Sequence, residues 1–135
     1  MRRVEGWEAA LAVVMNERRQ KPYVYGSTDC WCLARAAVQA MTGETMLPDV
    51  EPPKGWLAAA KIMIAHGWES VEDLMTETLG PPIEPNASRP GDIVSFVLVG
   101  EIHLAVRIGD VALTPGRDGL VPIVASAWRN AWRTG

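Results

Sequence analysis

The chain has 135 residues, 48% hydrophobic and 21% charged, which is enough for one domain with a real core and too few for two. A net charge of -3 and a pI near 5.4 argue against the broad basic face that non-specific nucleic-acid binding needs. No stretch approaches the ~20 apolar residues of a membrane span, and Glu5 and Glu8 interrupt the apolar run a signal peptide would need.

Residues 5–19 carry Trp7, Leu11, Val14 and Met15 at helical spacing, with Glu8, Glu17, Arg18 and Arg19 opposite, which predicts an amphipathic helix. Lys21-Pro22 ends it, and Tyr23-Val24-Tyr25 runs extended into the turn Gly26-Ser27-Thr28-Asp29. Asp29 has the chemistry of an N-cap, and a second helix is expected over about 30–41, stopped at Thr42-Gly43. Residues 44–53, with three prolines, form a loop. A third helix is predicted over 54–66, with Trp56 and Trp68 assigned to the core, and Ser70 to Asp73 cap a fourth that runs to about Thr78. A proline-rich loop at 80–90 separates this helical part (1–80) from a β part (90–124). There the predicted strands are 93–99, 102–108, 111–114 and 120–124, with Gly100-Glu101 as the first hairpin connection. Residues 125–133 are expected to close as a short helix carrying Trp128 and Trp132. Helices first and an antiparallel meander second make the fold class α+β, one domain over 1–135.

The chemistry concentrates at Cys30 and His103. Cys30 opens a helix, where free amides and the helix dipole favour a thiolate, the nucleophilic form. The same position suits a small buried hydrophobe, and the stretch alone does not choose between them. Cys32, two residues on, points to another face and is structural; the pair makes neither a disulfide nor, with two distant histidines, a zinc site. Period two puts His103, Ala105 and Arg107 on one strand face and Ile102, Leu104, Val106 and Ile108 on the other. If the cysteine helix lies against the His103 face, the imidazole takes the thiol proton and returns it to a leaving group. An isolated strand histidine with no role is the plainer alternative. His66, at a helix C-terminus before Gly67, reads as structural.

Tyr25-Gly26-x-x-Asp29-Cys30 before a helix, Arg89-Pro90-Gly91-Asp92-Ile93-Val94 opening a strand, and His103-Leu104-Ala105-Val106-Arg107-Ile108-Gly109 together resemble the NlpC-type, papain-like cysteine peptidases. More closely, the pattern resembles a family of phage and prophage tail-operon proteins. The likeness extends to the Ala-x-x-Met-Thr-Gly after the cysteine helix and to a closing Ala127-Trp128-Arg129. The resemblance implies a Cys helix packed on a small antiparallel sheet, with Cys30 as nucleophile and His103 as general base. It places Thr114 at the third polar position, usually His, Asn, Gln or an acid, and puts Tyr25 and Asp29 at the oxyanion and substrate-binding side. Trp31 replaces the serine common after the nucleophile and is read as a packing residue.

The implied activity is cleavage of peptidoglycan stem peptides by acyl transfer, with no metal or organic cofactor. The implied partners are bacterial peptidoglycan and the distal-tail and hub proteins of a phage tail tip, without nucleic acid or membrane insertion. The implied location is a phage or prophage-derived tail, after synthesis in the bacterial cytoplasm without a signal peptide. The alternative is a structural or assembly protein of the tail tip that keeps the fold without activity. A cysteine acyltransferase or deamidating effector on the same scaffold is a third.

Overall fold

The computed structural model describes residues 1–135. Four helices come first: α1 (Trp7–Arg18), α2 (Cys30–Thr42), α3 (Trp56–His66) and α4 (Val71–Leu79). Five strands follow: β1 (Ile93–Leu98), β2 (Glu101–Ile108), β3 (Val111–Gly116), β4 (Gly119–Val124) and β5 (Ala131–Trp132). They form one sheet in the order β4-β3-β2-β1-β5, with every pairing antiparallel. The fold is α+β.

Local chemistry sets the helix limits. The Asp29 carboxylate accepts from Cys32 N at the start of α2, and Gly43 closes that helix in the left-handed region. Ser70 caps α4 by accepting from Glu72 N, while Asp73 reaches back to the Glu69 amide. The period-two reading of β2 holds. Leu104 and Val106 join α1, α2 and α4 in the main core, whereas Ala105 lies in a second cluster with Val94, Phe96, Ala112 and Trp128. Leu33, Ala37, Val38 and Met41 of α2 are fully buried in that main core, where α2 packs between α1 and the β2–β3 face of the sheet.

Three expectations need correction. The β1–β2 connection is Val99-Gly100, both at positive φ, and Glu101 already belongs to β2. The tail does not close as a helix. After a single 3-10 turn at 125–127 it becomes β5, because the free edge of β1 offers Ile93 and Val94 as partners for Trp132 and Ala131. Trp56 is not core: it is 75% exposed, and no residue of α3 is buried. Trp68 is core, stacked on His66 with ring centroids 4.2 Å apart.

Two polar staples hold the ends of the chain. Asp92, fully buried, accepts from the Arg3 guanidinium at 2.8 Å and from the amides of Thr134 and Arg89. Arg3 also lies over the Trp7 ring and donates to Thr134 O and Pro90 O. On the other side Glu72 of α4 accepts from Ser95 Oγ, Asn130 Nδ2 and Arg129 Nε, joining α4 to β1 and the tail. The Pro-Gly-Asp turn and the Ala-Trp-Arg tail are therefore explained by structure alone.

Candidate active site

Gly26 sits at φ +84, and a Cβ there would come within 2.8 Å of the Pro53 carbonyl oxygen. A glycine is needed for both reasons, and the 51–54 loop rests directly on the cysteine turn. Asp29 then locks the turn from inside: Oδ2 accepts from Gly26 N at 2.6 Å and Oδ1 from Cys32 N at 2.9 Å. The carboxylate is buried and used on backbone amides, so it holds the turn, and Asp29 also lines the cavity that Cys30 faces.

This turn delivers Cys30 to the wall of a cavity of about 390 Å³. Tyr23, Tyr25, Trp31 and His103 share that wall, and α3 closes the opposite side with Trp56, Ala60 and Met63. Ser95 uses its own amide and carbonyl on the Asn130 and Arg129 side of β1, so its partner Leu104 turns its backbone groups the other way, toward β3. The paired register of β2 with β3 covers only Val106 to Ile108 on β2, so the Leu104 N–H lies outside that ladder.

Burial dominates the thiol. It pushes Cys30 up from 9.0 to about 11, and the nearby Asp29 charge adds to the rise; the amides of Leu104, Cys30 and Trp31 oppose it. The expected helix-end preference for thiolate is thus present but outweighed by desolvation. Burial likewise pushes up both Tyr23 and Tyr25, whose rings meet edge-on with centroids 6.4 Å apart.

The structure brings Cys30 and His103 to one cavity without a hydrogen bond between them. α2 packs on the Leu104–Val106 face of β2, not on the His103 face, and the imidazole lies against Phe96 with centroids 5.6 Å apart. Thr114 does not orient it either. The Thr114 hydroxyl is buried and donates to Leu104 O at 2.8 Å, tying β3 to β2 where their ladder ends. Trp31 is a packing residue, as expected, and its Nε1 is buried without a partner. Cys32 points away from Cys30 into a separate cleft.

Tyr23, Trp56 and Glu101 are among the cavity residues that the sequence reading did not assign to the site. Tyr23 had a signal, lying two residues before Tyr25 in an extended run and hence on the same side. Trp56 had none, since helical spacing points equally to core or cavity.

No curated protein matches the chain. One family matches it from residue 2 to residue 134, nearly end to end, and is described as a domain of unknown function, DUF6950. The cysteine turn, the histidine strand and both polar staples all fall inside that span, and the chain belongs to the DUF6950 family.

Proposed function

We propose that this protein is a cysteine hydrolase of papain-like, NlpC type that cleaves peptidoglycan stem peptides by acyl transfer, carried in a phage or prophage-derived tail. The observation that supports it is the meeting of the α2 mouth with β2. Cys30 at the start of α2 and His103 on β2 line one cavity. The thiol, raised to about 11, is protonated at neutral pH and needs a base. His103 makes no hydrogen bond and stacks on Phe96, so this reading requires the imidazole to leave that ring before it can take the thiol proton.

On this reading His103 takes the Cys30 proton as Sγ attacks the substrate carbonyl carbon. It returns that proton to the leaving amine as the C–N bond breaks. Water, deprotonated by the same imidazole, then cleaves the thioester and restores the thiol. The Cys30 amide and the Tyr25 hydroxyl face the developing oxyanion.

A second reading, a tail-tip structural protein using the same fold without activity, is favoured by the unpaired imidazole and by the engagement of Thr114 with Leu104. Incubation with purified peptidoglycan separates the two. The hydrolase releases soluble stem peptides, and both Cys30→Ala and His103→Ala abolish the release. If the wild type releases none, and iodoacetamide labels Cys30 along the same pH curve in wild type and His103→Ala, the structural reading stands.

A further inference from the structure

The cysteine turn has a second side. Away from the Cys30 cavity, an open cleft of about 520 Å³ lies between the end of α1, one flank of α2 and the loop that follows α2. Arg18 comes from α1, Arg35 and Gln39 from α2, and Ser27 and Thr45 from the flanking turns; no carboxylate lines it. That is notable in a chain with 16 acidic and 13 basic residues. The two ion pairs of the molecule, Arg3–Asp92 and Arg129–Glu72, use neither of these arginines.

Their hydrogen bonding is incomplete as well. Arg18 makes one long contact, Nη1 to Ser27 O at 3.4 Å. Arg35 Nε is buried and donates to nothing. A buried donor on a permanent cation without an acceptor is costly, and the fork geometry of guanidinium matches the two oxygens of an oxyanion. Ser27, Thr45 and Gln39 add neutral donors around the same space. The site is also insulated from the Cys30 cavity: Pro52 faces the cleft and Pro53 the cavity, where the loop rests on Gly26.

We propose that Arg18 and Arg35 form an oxyanion-binding site for a phosphate or carboxylate group of a ligand. It bridges α1 to α2 and stands independently of any chemistry at Cys30. The test is thermal unfolding of the full chain in 50 mM sodium phosphate or 50 mM sodium N-acetylglutamate, each against sodium chloride at equal ionic strength. One of the two anions raises the Tm above chloride by about 3 °C or more, and both Arg35→Gln and Arg18→Gln remove the gain. A larger effect of phosphate assigns a phosphate group; a larger effect of N-acetylglutamate assigns a carboxylate. In the wild type, which needs no variant to fold, the Arg35 Nε–Hε NMR signal shifts on titration with the stabilising anion. The proposal is overturned if neither anion exceeds chloride, if the gain survives both substitutions, or if that signal does not move.

Discussion

Asp29→Ala tests whether the residue beside the thiol is a scaffold element. The wild-type carboxylate accepts from Gly26 N at 2.6 Å and from Cys32 N at 2.9 Å, in a buried setting. Alanine removes the helix cap, worth about 1–2 kcal/mol. It also leaves the Gly26 amide without its acceptor inside the turn, at a further ~1–3 kcal/mol. The expected loss is about 2–5 kcal/mol, or roughly 7–18 °C in Tm for a chain of this size. Urea unfolding followed by far-UV circular dichroism reads it as a lower midpoint at unchanged slope. Asp29→Asn keeps one acceptor and falls between. A loss below about 1 kcal/mol for the alanine variant would refute the scaffold assignment and return Asp29 to the substrate side of the site.

Three further outcomes follow from the packing and the charges. Glu72→Ala strips Ser95 Oγ, Asn130 Nδ2 and Arg129 Nε of a shared acceptor, and is expected to cost about 2–4 kcal/mol in chemical denaturation; a value under 1 kcal/mol would show the staple to be dispensable. Trp132→Ala, at a fully buried site, costs about 3–5 kcal/mol, whereas Trp56→Ser, at an exposed one, stays within about 0.5 kcal/mol; comparable losses would mean that α3 packs more tightly than its exposure indicates. Burial raises Cys30 from 9.0 to about 11, so the native state keeps a proton that the unfolded chain has lost. Stability is then unaffected by this group below about pH 9 and falls as pH rises toward 11. Thermal unfolding between pH 8 and pH 11 should therefore decline more steeply in wild type than in Cys30→Ser, and parallel declines would count against the burial of the thiol.

Much of the scaffold was legible in the residues themselves. Helical spacing in 5–19, the Asp29 and Ser70 caps, the Gly43 and Gly67 stops and the alternation of 102–108 are local signals, and each produced its element within a few residues. The turn around Cys30 was equally readable, because the Asp29 carboxylate accepts from the neighbouring amides of Gly26 and Cys32. The staples were not. Arg3 meets Asp92 across 89 positions and Glu72 meets Asn130 across 58, and nothing local marks such partners.

By itself, then, the sequence determined the α+β order, the helix limits and the two faces of β2, since these depend on dihedral preferences and side-chain period. Tertiary packing alone decided which of those faces α2 covers, and so where His103 points relative to Cys30. It sent the last residues into β5, because the edge of β1 supplied unpaired amides and carbonyls. It also set the thiol's proton affinity: the helix end favours thiolate, but the neighbours that enclose Cys30 come from distant parts of the chain, and desolvation by them is the larger effect.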